Sequence, residues 1–195
     1  MDENQFKQAL ETILDNLKTK LENSKGIAVF VDNRAKFEGW LKVEIVDILC
    51  NKMNPKKITP EAPDNNENIT SEENKNYQHI DIVFDDSALE LKAVNRSYRE
   101  ESIENKTRPI TDNVNQLVKD IKKLRELNRK DIKNKAILFV VFPLSENNIK
   151  KFEAKHLPKL GVEKQDIMYR QFNTVSCITN RIITNRIYCV IVREK

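Results

Sequence analysis

Cysteine is too scarce in this chain to staple it. Cys50, Cys177 and Cys189 are odd in number, far apart and set in apolar runs. They argue against a disulfide framework or a zinc site, and are expected to be buried thiols in a reducing compartment. Long apolar runs are missing as well. None reaches the length that spans a bilayer, and the first residues hold no apolar core of signal-peptide length. A cytoplasmic protein with no membrane partner is expected. Charge of one sign is also lacking: 33% of the residues are charged, yet the net charge is only +4, so bulk composition does not announce a nucleic-acid-binding protein. Glycine occurs only three times, beside heavy use of Lys, Asn and Ile, a composition that fits an AT-rich genome. One of the two histidines, His156, lies among Lys155, Leu157 and Pro158. It reads as a surface residue favoured by a helix end and receives no catalytic role.

What is present begins with length. At 195 residues a single domain, 1–195, is the default, with room for a sizeable core. The charge is unevenly spread. Basic residues crowd Lys119–Lys135 and dominate again after Asn148, the footprint expected for a phosphate-bearing partner.

Along the chain, Gln5–Leu21 places Phe6, Leu10, Ile13, Leu14, Leu17 and Leu21 at helical spacing. Ile27–Val31 reads as a short strand or an extended lead-in. A second helix, about Arg34–Lys52, carries Leu41, Ile45, Ile48 and Leu49, with Glu38 at the centre of that stripe and Glu44 on its flank. A carboxylate at Glu38's place, the centre of an apolar face, is costly to bury unpaired. The polar stretch 54–76 predicts a mobile loop. Thr111 or Asp112 can cap a helix over Asn113–Leu127 with the stripe Val114, Leu117, Val118, Ile121 and Leu124. Ala136–Phe142 is a continuous apolar run, expected as a strand buried on both faces. A C-terminal extension, 143–195, is expected to pack on the core with a helix capped by Ser145 and two strands, Thr174–Ile178 and Ile187–Val192. The sequence Ile-Thr-Asn-Arg occurs twice between those strands, at 178–181 and 183–186, and predicts a connecting loop.

The chemistry concentrates in His79–Val94. Ile80, Ile82 and Phe84 alternate with Asp81 and Val83; Leu89 and Leu91 alternate with Ala88, Glu90 and Lys92. Two alternating runs around Asp85-Asp86 predict a hairpin. In that register Phe84 pairs with Ser87, Val83 with Ala88, Ile82 with Leu89 and Asp81 with Glu90. Two carboxylates are thus pushed together, with Lys92 two residues along on the same face. Like charges placed opposite one another destabilise a sheet, and a shared divalent cation would be a reason to keep them.

Asp81, then Glu90-Leu91-Lys92, resembles the D…ExK signature of the PD-(D/E)xK nucleases, the restriction-endonuclease-like superfamily. The resemblance runs from about Asn33 to Phe142. Ile80 stands where the family name has its proline. It implies an α/β fold: a central mixed β-sheet flanked by helices in the order αβββαβ, here with an added N-terminal helix and a C-terminal helix plus strands. It implies a Mg²⁺-dependent nuclease, Mn²⁺ substituting. Asp81, Glu90 and the Leu91 carbonyl would be metal ligands, joined by Glu38 or Glu44, and Asp81, Glu90, Lys92 and Glu38 would be catalytic. Lys92 would orient or help deprotonate the attacking water. Gln116 would orient the substrate, although the Tyr that follows it in the RecB-like branch is replaced by Asp120. Arg96, Arg99, Lys119 and Lys123 are candidate phosphate contacts. The partner is expected to be nucleic acid, DNA first, and a restriction enzyme would need a homodimer to cut both strands. A catalytically idle nuclease-like module that binds nucleic acid or a protein stays open beside this, as do restriction, repair and toxin roles.

Overall fold

The computed structural model describes residues 1–63, 79–95, 110–144 and 146–193. Helix α1, Glu3–Asn23, buries the whole expected stripe from Phe6 to Leu21. It starts before the periodic pattern because Asp2 caps it. The Gln5 N–H donates to Asp2 Oδ1 at 2.8 Å, and the Asp2 N–H donates to Gln5 Oε1 at 2.9 Å. Ile27–Val31 is neither a strand nor an extended lead-in but lies within a short helix, α2, Lys25–Asp32. Short apolar runs do not distinguish the two states by pattern. Here Ser24 decides it: its hydroxyl accepts the Ile27 N–H, and the helix buries Ile27, Ala28 and Val31 while Val29 and Phe30 stay exposed. Helix α3, Glu38–Ile48, runs on into a π-helical turn, Leu49–Met53, which Asn54 ends in the left-handed conformation. Trp40, the only tryptophan, is half-buried on α3 with its ring edge-on to Phe37.

Among the described residues the sheet has six strands: β1 Ile58–Pro63, β2 His79–Phe84, β3 Ser87–Asn95, β4 Asn134–Leu144, β5 Ile167–Val175 and β6 Ile182–Ile191, in the spatial order β1-β2-β3-β4-β6-β5. Of these six strands, β3 and β4 pair in parallel and the other neighbours are antiparallel. Helix α4, Ile110–Glu126, lies between them in sequence, as a parallel crossover requires. Alternation sorts the core into two layers. Ile82, Phe84, Leu89, Leu91, Leu138 and Val140 face α1, α2 and α3. Val83, Ala88, Ile137, Phe139 and Tyr188 face α4 and α5, Glu146–Lys155. The apolar run of β4 is buried on both faces as expected, each large side chain contributing about 1.5–3 kcal/mol relative to exposure.

Several expectations need correction. The stretch 54–76 is not one loop, because β1 occupies Ile58–Pro63 on the sheet edge. Two prolines and a polar composition hid it, and both are compatible with an edge strand; residues 64–76 lie outside the described residues. The segment 143–195 does not pack on a finished core. Strand β6 pairs with β4 from Ala136 to Leu144 and extends the sheet itself. The last two strands are longer and earlier than expected. The second Ile-Thr-Asn-Arg unit therefore lies inside β6, with Asn185 fully buried and its amide donating to Thr174 Oγ1. The helix expected from Thr111 or Asp112 begins at Ile110. Ser145 lies outside the described residues.

Cysteine burial is also mixed: Cys189 is buried, but Cys50 and Cys177 are exposed. Burial pushes the Cys189 thiol up to about 12. A thiol titration with an aromatic disulfide at pH 8 is expected to count two reactive groups in the folded protein and a third only in denaturant. Three fast groups would contradict this packing.

Candidate active site

The hairpin register is the one the alternation predicts: Ile82 pairs with Leu89, Val83 with Ala88 and Phe84 with Ser87. Asp85 takes the left-handed conformation in the turn, a backbone region that Asp tolerates better than most residues. Beyond Ile82 the two strands fork. The Leu91 N–H donates to Asp81 Oδ2 at 2.8 Å, so a side chain takes the place of a ladder acceptor. The fork also turns Ile80 over. It joins Val83 and Ala62 on the α4 face, whereas simple alternation would set it beside Ile82. Glu61, across from the fork on β1, sits at φ 51°.

At the fork the Asp81 and Glu90 carboxyl groups come within hydrogen-bonding reach of each other. Glu90 is 4% exposed. Burial, and then the contact with Asp81, raise it to about 7, although Lys123 opposes them. Burial pushes Asp81 up too, but hydrogen bonds from Glu90, Lys42 and the Leu91 N–H outweigh it and hold Asp81 below the ordinary carboxylate value. Below about pH 7 the pair therefore keeps one proton, on Glu90, with the charge resting on Asp81, and it gives that proton up as pH passes about 7.

Lys92 stands on the same face, as its register requires. Burial pulls its pKa down, but Asp120, Glu38, Asp81 and Glu90 more than offset that and raise it. Lys92 is thus held as an ammonium by these carboxylates, able to donate hydrogen bonds and stabilise negative charge.

Helix α3 reaches the site from one side. Glu38 Oε1 accepts the Ala93 N–H at 2.9 Å, fixing the helix start to β3, and lies close enough to Lys92 to raise its pKa. One turn on, Lys42 Nζ is 2.8 Å from Asp81 Oδ1 and also pairs with Glu61. Helix α4 reaches it from the other side. Lys123 Nζ donates to Glu90 Oε1 at 2.9 Å and to the His79 carbonyl at 2.7 Å. Gln116 donates to Asp120 Oδ1 at 3.3 Å. Asp120 Oδ2 is buried without a hydrogen bond, 3.6 Å from Lys92 Nζ. Burial raises Asp120 above the ordinary carboxylate value despite Lys92, Gln116 and Lys123.

Of the residues singled out from sequence, Asp81, Glu90, Lys92, Glu38, Gln116 and Lys123 meet here. Glu44 does not. It faces α1, where Lys20 holds it together with Asp47, so it is withdrawn as a ligand. Lys119 is exposed on α4 and, among the described residues, makes no ion pair with the cluster. Arg96 and Arg99 lie outside the described residues. Sequence reasoning missed Lys42 and Asp120. Both carried a signal: Lys42 follows Glu38 by one helical turn, and Asn113, Gln116, Asp120 and Lys123 form a polar column along α4.

Asp81 and Glu90 are hard oxygen donors of the kind Mg²⁺ takes, and the raised pKa of Glu90 beside Asp81 marks a place where divalent charge would relieve repulsion. The donor set fits such an ion as a carboxylate pair. Among the described residues, no three acids, histidines or cysteines gather closely enough to form a fuller metal cage. In comparisons with protein-family models, curated proteins and solved structures, the chain showed no significant match.

Proposed function

We propose that this chain hydrolyses phosphodiester bonds of nucleic acid, DNA first, with a divalent cation held by Asp81, Glu90 and the Leu91 carbonyl. The observation that carries the reading is the fork at Asp81. An aspartate leaves the strand ladder, lies against a glutamate and shares a sheet face with a lysine ammonium. The element order supports it: α3, β1, β2, β3, α4 and β4 run in the helix–three strands–helix–strand order of the restriction-endonuclease-like core, with β3 and β4 parallel at its centre. Bound Mg²⁺ or Mn²⁺ would supply Lewis-acid polarisation of the phosphoryl oxygen and a more acidic water.

This chain's own groups would do the rest. Lys92, kept cationic, donates to a non-bridging phosphate oxygen and offsets the charge that develops on it. Asp120 and Glu38 hold that ammonium from two sides. Asp81 keeps its charge at neutral pH, and Glu90 gains its own as pH passes about 7. Ligand binding there should therefore strengthen up to that pH and level off above it.

Plasmid, linear duplex and single-stranded DNA incubated with Mg²⁺ or Mn²⁺ are the test, wild type beside Lys92→Ala. Cleavage by the wild type alone is expected, and discrete or smeared products separate sequence-specific from indiscriminate cutting. Lys42 and Lys123 on the two carboxylates favour a second reading, an idle module that binds nucleic acid or a protein without cutting. Salt-dependent DNA binding with no cleavage of any substrate would establish that one instead.

A further inference from the structure

We propose that Lys42 and Lys123 are resident counter-cations of the Asp81–Glu90 pair, exchanged for a divalent cation and released onto substrate phosphates on either side of the scissile bond. The inference rests on the nuclease reading and adds to it how the site is held before substrate arrives.

The two lysines come from opposite layers of the molecule. Lys42 is on α3, packed with the layer that includes Leu91 and Leu89; Lys123 is on α4, packed with the layer that includes Val83 and Ala88. Each meets one member of the pair at hydrogen-bond distance: Lys42 Nζ at 2.8 Å from Asp81 and Lys123 Nζ at 2.9 Å from Glu90. Each ammonium also has a second anchor near the strand ends, Glu61 for Lys42 and the His79 carbonyl for Lys123. Both side chains keep part of their surface in solvent, so their heads can swing without disturbing the core. A divalent ion between the carboxylates cannot share the same oxygens with two ammonium groups at these distances without strong repulsion. The displaced heads remain tethered within a side chain's length of the site. The anions nearest to them there would be the phosphates that flank the bond. Cation uptake and substrate binding are then linked, each strengthening the other. Lys92 is not part of the exchange, since Asp120, rather than the pair, is its ion partner.

Calorimetric titration of Mn²⁺ into the full chain tests the exchange without relying on turnover. Lys42→Met and Lys123→Met are each expected to bind Mn²⁺ about tenfold tighter than wild type. Lys119→Met, which removes the same charge from an exposed place on α4, is expected to stay within roughly twofold. Lys42→Gln and Lys123→Gln serve if either methionine variant unfolds. A second titration uses a phosphorothioate duplex with and without Mn²⁺. Wild type is expected to gain about tenfold in duplex affinity on adding the ion, and the lysine variants to lose most of that gain.

Mn²⁺ affinity in the variants that equals wild type, or tracks Lys119→Met, overturns the exchange while leaving the nuclease reading standing. Tighter Mn²⁺ binding with an unchanged duplex gain overturns the release onto phosphates. No Mn²⁺ binding by wild type or any variant overturns the metal reading and the exchange together. Binding by the variants but not by wild type supports the exchange in its strongest form.

Discussion

Asp81→Asn is expected to fold like wild type and to cut DNA about 10³-fold more slowly, because loss of the charge proposed to hold the cation would remove several kcal/mol of transition-state stabilisation at about 1.36 kcal/mol per decade. The substitution is chosen for its shape. Asparagine keeps an oxygen where Asp81 Oδ2 accepts the Leu91 N–H, so the fork between β2 and β3 survives. What disappears is the charge that holds Lys42 and faces Glu90. Asp81→Ala is the harsher comparison, since it also leaves the Leu91 N–H without its acceptor, and it should lower stability as well as rate. Single-turnover cleavage beside a thermal melt separates the two effects. Asp81→Asn cutting at the wild-type rate would remove Asp81 from the chemistry altogether.

Glu90→Gln is expected to move stability and activity in opposite directions. The folded-state pKa of Glu90 is about 7, against an ordinary value of 4.5. Between those values the folded protein holds a proton that the unfolded chain has given up. Wild-type stability therefore falls as pH rises from 4.5 to about 7, and is flat above it as far as this residue is concerned. The difference of about 2.5 units corresponds to about 2–3 kcal/mol once the coupling to Asp81 is allowed for. Asp81 acts in the other direction, but its lowered pKa places its window below pH 4, so the two do not overlap. Glutamine fills the same space, never ionises and can donate its amide to Asp81. Urea unfolding should find Glu90→Gln more stable than wild type by about 2–3 kcal/mol at pH 8 and indistinguishable at pH 4, with cleavage lost. Parallel stability curves across that range would mean that Glu90 is not held in a charge-poor place. The expected outcome makes Glu90 a residue kept against the interest of the fold, which is how a functional carboxylate behaves.

Pattern alone made the strongly periodic elements legible. Helices α1 and α4 and the hairpin register up to Ile82–Leu89 follow from spacing, because burial on one side leaves a repeat, and strand β4 follows from an unbroken apolar run, because it is buried on both faces. Strand β1 and helix α2 did not follow. Ile58–Pro63 has too few apolar residues to show alternation, being paired on one side only, and Ile27–Val31 is β-branched enough to look extended until Ser24 caps it. The site divides the same way. The contact of Asp81 with Glu90 and the place of Lys92 were readable from a period of two. The fork was not, since it depends on a side chain replacing a backbone acceptor. Asp120 and Lys42 come from elements distant in sequence, and their helical spacing is informative only once it is known which face of each helix meets β2 and β3. Glu44 misled for the same reason: it flanks the apolar stripe of α3, but on the side that α1 covers.

Helix α3 carries Glu38, Trp40 and Lys42 within five consecutive residues. With no other indole in the chain, ultraviolet emission excited at the red edge arises from this helix alone. The ring rests on Phe37, which in turn packs on Phe142 of β4 at 4.9 Å between centroids. A small shift of α3 against the sheet therefore changes the indole's surroundings and its emission maximum. The molecule comes with its own optical gauge of the helix that bears Lys42, readable in stopped flow without a dye.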